Sequence, residues 1–168
     1  VFPPVEAAAG ERLVVHLRTL DPASRDETGG LADSAGVEAS PDARDFWVAG
    51  AVERLRRSDA VWLAGPGGDW LDAVLFSEAA EGEWKTEALA EAAAAAAVAG
   101  AWKTADGQPP RPADAASSAG TTVTRSLCRS GGDTDGPADW YVAASGGATP
   151  GAPNKAGRYL AAPAKPSL

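Results

Sequence analysis

The run Asp133-Thr134-Asp135-Gly136, with Asp139 three residues later, has the residue types of a calcium loop. Calcium takes about six to eight oxygen ligands, and alternating aspartates on a glycine-bent loop supply several of them. The run lacks a bidentate glutamate at the required distance and is too short for an EF-hand. Asp133, Asp135 and Asp139 are therefore weak calcium candidates, and the expectation is that they cap backbone N–H groups in an Asx-turn loop before Trp140. Paired carboxylates for hydrolysis would come from Asp69, Asp72 and Asp139, but spacing singles out none of them. Asp72 stands between apolar neighbours in a strand-like run, where a buried carboxylate needs a cation, and Arg125 or Arg129 can supply one. A structural ion pair is the expectation there. His16 and Cys128 are the lone histidine and lone cysteine, and nothing in the sequence brings them together as a nucleophile pair. Gly65-Pro66-Gly67-Gly68 lacks the Lys-Ser/Thr of a phosphate loop. No catalytic residue and no cofactor are expected, and the chain reads as something other than an enzyme.

Tryptophan offers a different chemistry. There are six, against three Phe and two Tyr, too many for one small core. An exposed indole stacks on a sugar or anchors a protein interface. Trp62 and Trp70, on the two arms of one hairpin, are the candidate binding residues, with packing against a neighbouring helix as the plainer alternative.

The elements that position these residues follow from pattern. Glu11 to Leu20 alternates, with Leu13, Val15 and Leu17 on one face and Val14, His16 and Arg18 on the other, as in a half-buried strand. His16 falls on the more polar face and reads as a rim histidine. Asp21 to Asp45 is polar and reads as a long exposed loop. Phe46-Trp47-Val48 opens the next strand region. Ala60 to Ala64 and Trp70 to Phe76 are apolar β-formers around a Gly/Pro loop, the clearest hairpin in the chain. From about Glu83 to Ala99 the alanine-rich run predicts a helix anchored by Trp84 and Leu89 and stopped at Gly100. Lys103 to Gly120 is Pro-rich and reads as a connector. Thr121 to Arg129 and Asp139 to Ala144 read as the closing strands, ended by Pro150 and Pro153. Val61, Leu63, Val74, Leu127 and Trp140 are the expected core.

The closing third carries a resemblance. Ser126-Leu127-Cys128-Arg129, a polar loop, Asp139-Trp140, then Thr149-Pro150-Gly151-Ala152-Pro153-Asn154 resembles the end of lamin-tail domains, which reads S-L-x-R, loop, D-W, T-P-G-x-P-N. Leu55, Asp59, Val61, Leu63, Gly68, Asp72, Val74 and Phe76 follow the family's hairpin pattern in order, with Ser58 where the family has Gly. The resemblance implies an all-β, immunoglobulin-like β-sandwich with an inserted Ala-rich α-helix. Residues 1–154 would form one such domain, the helical insertion lying at about 83–99, and residues 155–168 an Ala/Pro-rich tail. The family's opening strand and its G-W turn have no counterpart. The sheet edge at Glu11 to Leu20 is therefore expected to be completed by upstream sequence, by a partner strand, or by Val1 to Val5 and the tail from Tyr159 to Pro166.

Composition bounds the partners. The 168 residues carry a formal charge of −8, which repels phosphate backbones, and Arg54, Arg56 and Arg57 form only a small basic spot beside Asp59. No nucleic acid is expected. A single cysteine excludes an intrachain disulfide, and Cys128 reads as a small buried side chain. No apolar run reaches the roughly 18 residues that span a membrane. The chain has no methionine, so a signal or lipoprotein leader ahead of Val1 is expected, or a longer parent protein. With the resemblance, these readings imply a non-catalytic binding module of a bacterial extracellular, periplasmic or cell-surface protein, its partner a protein or glycan on the cell surface. The alternative is an accessory domain of an extracellular hydrolase whose catalytic part lies outside the chain.

Overall fold

A computed structural model describes residues 5–17, 43–47, 55–155 and 157–160. The fold is β-rich with one α-helix. Two compact units emerge, one from Val1–Leu55 with Thr149–Pro153, the other from Arg56–Ala148 with Asn154–Leu168. Among the described residues no helix is long and apolar enough to cross a membrane.

In the first unit, β1 (Arg12–His16) pairs in parallel with β2 (Ala43–Trp47), placing Val14 opposite Asp45 and His16 opposite Trp47. The polar loop expected over Asp21 to Asp45 therefore ends early. Ala43, Arg44 and Asp45 are buried within β2, while residues 18–42 lie outside the described ones. The expected inner face of β1 is also corrected. Leu13 and Val15 are 41% and 42% exposed, and Val14 and His16 are the better covered, because Asp45 and Trp47 lie on their side of the ladder. Arg18 to Leu20 lie outside the described residues.

The second unit is built on β3 (Asp59–Ala64) and β4 (Trp70–Ser77), antiparallel, with a register shift at Leu63/Ala64. The turn between them closes through Gly68 N–H donating to the Gly65 carbonyl, with Gly68 at φ +83°. Glycine meets that left-handed angle without a Cβ penalty. At the other end of the hairpin, Ser58, where the family pattern has Gly, is buried and its hydroxyl meets that of Ser77 at 3.1 Å.

The helix α1 (Glu87–Val98) starts four residues later than its propensity predicts, because Thr86 caps it and its Oγ1 accepts from Leu89 N–H at 3.3 Å. It ends in a Schellman turn: Ala101 N–H donates to Ala96 O, Gly100 N–H donates to Ala97 O, and Gly100 sits at φ +75°. Leu89, Ala93 and Ala96 form its buried stripe, and Trp84 packs on the same core.

The Pro-rich connector is structured. A 3-10 turn over Pro112–Asp114 leads into β5 (Ala116–Ser117), which runs parallel to β4, giving the sheet order β3-β4-β5. Two indoles hold this segment, Trp84 Nε1 donating to Pro110 O at 2.7 Å and Trp102 Nε1 to Asp114 O at 3.0 Å. A buried tryptophan needs such an acceptor for its N–H.

Of the expected strand from Thr121 to Arg129, only β6 (Leu127–Arg129) forms; Thr122 and Arg125 close a tight turn instead. β6 pairs antiparallel with β7 (Trp140–Val142), Arg129 opposite Trp140. The described part of the tail runs along β7: Tyr159 N–H donates to Val142 O at 2.8 Å and Ala144 N–H to Gly157 O at 2.9 Å.

The core of the second unit consists of Ala73, Leu75, Phe76, Ala93, Ala96, Ala101, Trp102, Ala115 and Ala116. Val74, Leu127 and Trp140 pack on it half-buried. Val61 and Leu63 do not belong to it, being 42% and 60% exposed. Among the described strands β3 is the outer one of its sheet, with a neighbour on its β4 side only, so its side chains lack cover from a described flanking strand.

Candidate functional site

Trp62 and Trp70 come together on the hairpin. Opposite residues of an antiparallel pair share a face, and the register pairs Trp62 with Ala73 and Ala64 with Trp70. The shift beside Leu63 thus carries both indoles to one face. Their rings stack at 4.8 Å with planes 6° apart. Trp70 rests on the core, whereas Trp62 is 49% exposed. One indole therefore serves as a half-buried base and the other presents its outer surface to solvent. Val61 and Leu63, also exposed, lie on the opposite face of the strand. Such an arrangement has no acid, base or nucleophile in it and suits contact by stacking and apolar burial.

The carboxylates are engaged elsewhere. Asp72 accepts from Arg129 Nη1 at 3.2 Å, the ion pair expected of it, and the same guanidinium binds Asp133 and lies 5.8 Å from the centre of the Trp140 ring. Asp133 Oδ1 also accepts from Asp135 N–H at 3.3 Å. Asp135, at φ +55°, bonds Lys103 Nζ at 2.7 Å. Asp139 is buried and accepts from Thr134 N–H at 2.7 Å, Thr134 Oγ1 at 2.8 Å and Gly136 N–H at 3.4 Å. Asp133 and Asp139 thus cap backbone N–H groups, and Asp135 ties the loop to Lys103. Among the described residues no group of three or more His, Cys, Asp or Glu is placed to hold a metal. The tripeptide Pro-Ala-Asp occurs at 112–114 and again at 137–139, and both copies form the same turn. In each, the aspartate accepts the N–H of the residue before the proline, Arg111 in one and Gly136 in the other. That recurrence was available in the sequence as a capping signal.

Asp133 and Asp139 are both held below the ordinary carboxylate range, Asp133 chiefly by its bond to Arg129 and Asp139 chiefly by the Thr134 N–H. A carboxyl depressed in the folded state contributes stability above its unfolded value of about 3.9, and that contribution is lost as pH falls through the lower folded value. Asp139→Asn is therefore expected to lower stability at neutral pH and to flatten the loss of stability below about pH 4. Urea titrations of both proteins at neutral pH and near pH 3 check this; parallel pH dependences would place the acid-sensitive groups elsewhere.

One feature of the first unit escaped the sequence reading. His16 Nε2 meets Asp45 Oδ1 at 2.6 Å, and the His16 ring stacks on Trp47 at 5.0 Å and 8°. Asp45 is fully buried, so the half-buried histidine provides it with a hydrogen-bond partner. Arg44, also buried, bonds Glu11 at 2.5 Å and the Glu6 carbonyl at 2.6 Å. Cys128 is buried in the second unit with its Sγ 3.3 Å from Ser126 Oγ. Arg57 pairs with Glu78 at 3.3 Å, and Arg54 lies outside the described residues.

A family model described as a protein second domain matches residues 1–142. A protein of Treponema pallidum (strain Nichols), described as uncharacterized, is 50% identical over 46 residues, a stretch that makes up 27% of this chain and 12% of that protein. No solved structure matches the chain significantly.

Proposed function

We propose that the chain, which belongs to this second-domain family, is a non-catalytic binding module of a bacterial extracellular or cell-envelope protein, with the Trp62–Trp70 stack as its contact surface. The observation that carries the reading is the half-exposed Trp62 stacked on a core-packed Trp70. An aromatic held by stacking is among the residue types that dominate binding energy at interfaces. The partner is a protein or a glycan of the cell surface. The immunoglobulin-like, lamin-tail-like sandwich belongs to the same proposal. It is supported by the β3–β4 hairpin and the antiparallel β6–β7 pair, formed by residues that carry the lamin-tail resemblance, and by the Asp72–Arg129 pair that joins the two.

A second reading, that the module is an accessory domain beside an extracellular hydrolase, draws on the family's description as a second domain and on a relative far longer than the aligned stretch.

The test is cosedimentation of the purified chain with isolated bacterial cell envelopes. Trp62→Ala is expected to weaken retention about tenfold or more, the loss that truncating an anchor residue brings. Binding that survives protease treatment of the envelopes marks a glycan partner, and binding that is lost marks a protein. Equal retention of both proteins, or none of either, would overturn the assignment of Trp62.

A further inference from the structure

We propose that the β3 edge pairs with the β3 edge of a second copy of this chain, antiparallel about Trp62, joining the two three-stranded sheets into one. Among the described strands β3 has a neighbour only on its β4 side. Its residues from Val61 to Ala64 are all exposed, on both faces, and carry no charge, proline or inward lysine. An outer strand left in that state is a template for another strand, and proteins that keep such edges free guard them with those devices.

The sequence of the edge selects a second copy as the occupant. A two-fold axis perpendicular to the sheet makes residues i and j face each other when i and j sum to a constant, and faces match only if that sum is even. Centred on Trp62, the pairing sets Trp62 against Trp62, Val61 against Leu63 and Ala60 against Ala64. Both exposed aliphatic residues then cover each other on one face, and the two exposed indoles meet on the other. Asp59, the one charge in the strand, falls opposite Gly65, beside which the Asp69 carboxylate lies, so the exposed Arg56 must offset that pair. The exposed Arg56 and Arg57 precede the strand, and the exposed Asp69 closes the turn that follows it. Antiparallel pairing brings the basic end of each copy beside the acidic turn of the other. Opposite charges at opposite ends of one strand are complementary to themselves only in this orientation.

The experiment is sedimentation equilibrium of the whole chain at about 0.15 M salt, where the Debye length of about 8 Å screens the repulsion between two acidic molecules. Mass is expected to rise toward that of a dimer between about 10 µM and 1 mM protein, the range of small interfaces. Val61→Lys, at an exposed position, is expected to raise the dissociation constant about tenfold or more. Arg56→Glu and Asp69→Lys are each expected to weaken self-association, and an equimolar mixture of the two is expected to restore it, because each mixed dimer regains two opposite-charge contacts. A monomer at every concentration, or a dimer indifferent to Val61→Lys and to the charge exchange, overturns the proposal and leaves the β3 edge to a partner of another kind. Envelope binding is read separately, so failure here does not touch the role proposed for Trp62.

Discussion

Replacing Trp102 with alanine is expected to cost about 3–5 kcal/mol of folding stability, the range for a large aromatic removed from a close-packed interior. Trp102 is 1% exposed and lies at the centre of the cluster formed by β4, α1 and the segment before β5. Its backbone N–H finishes the helix by donating to Ala96 O, and its indole N–H donates to Asp114 O. Alanine keeps the first bond and loses the second, leaving that carbonyl unpaired as well as opening a cavity. Ala93, Ala96 and Ala101 around it have no longer side chains with which to close the space. Trp62→Ala, by contrast, removes a half-exposed ring and one stacking contact, and is expected to cost less than about 1.5 kcal/mol. Urea titration of both variants decides the matter. A loss below about 1.5 kcal/mol for Trp102→Ala would mean that the core does not depend on this ring.

Gly120→Ala is the second large effect, and its origin is separable. Gly120 sits at φ +90°, and a Cβ there would strike the ring of Tyr159. The left-handed backbone costs a residue with a Cβ about 1–2 kcal/mol. Tyr159 must also shift, and it lies under the Arg125 guanidinium, 4.1 Å from the ring centre. That contact is worth about 0.5–1 kcal/mol at a partly exposed site. The sum is a loss of about 1.5–3 kcal/mol. In a Tyr159→Ala background the clash is gone and only the backbone part should remain, so Gly120→Ala is expected to cost about 1–2 kcal/mol there. Equal costs in the two backgrounds would show that the tail does not press on Gly120.

The parts of the fold that were legible in the sequence are those with local causes. The β3–β4 hairpin announced itself because two runs of β-formers bracket a glycine turn, and the turn uses Gly68 at the angle only glycine takes freely. The helix was legible through propensity and Gly100, although its start awaited the Thr86 cap. The Asp72–Arg129 pair followed from the need of a strand carboxylate for a cation, with Arg125 the other candidate. The Asp133–Asp139 loop was readable as turn chemistry, because each side chain reaches donors a few residues away, apart from Asp135 and its distant Lys103.

What the sequence left open depends on residues far apart in the chain. Period-two alternation shows that β1 has two faces, but which one is covered is decided by β2, a strand about thirty residues later that brings Asp45 and Trp47 to the Val14–His16 side. The six tryptophans are identical in composition terms. Tertiary packing alone separates Trp102, buried with its N–H bonded to Asp114, from Trp62, stacked on Trp70 and open to solvent. Val61 and Leu63 have the residue types of a core and lie at a surface, because burial is a property of the neighbours a strand acquires, and among the described strands β3 acquires one only on its β4 side. Local propensity determined the β3–β4 hairpin and the helix; the long-range pairing of strands decided β5 and which apolar residues remain exposed.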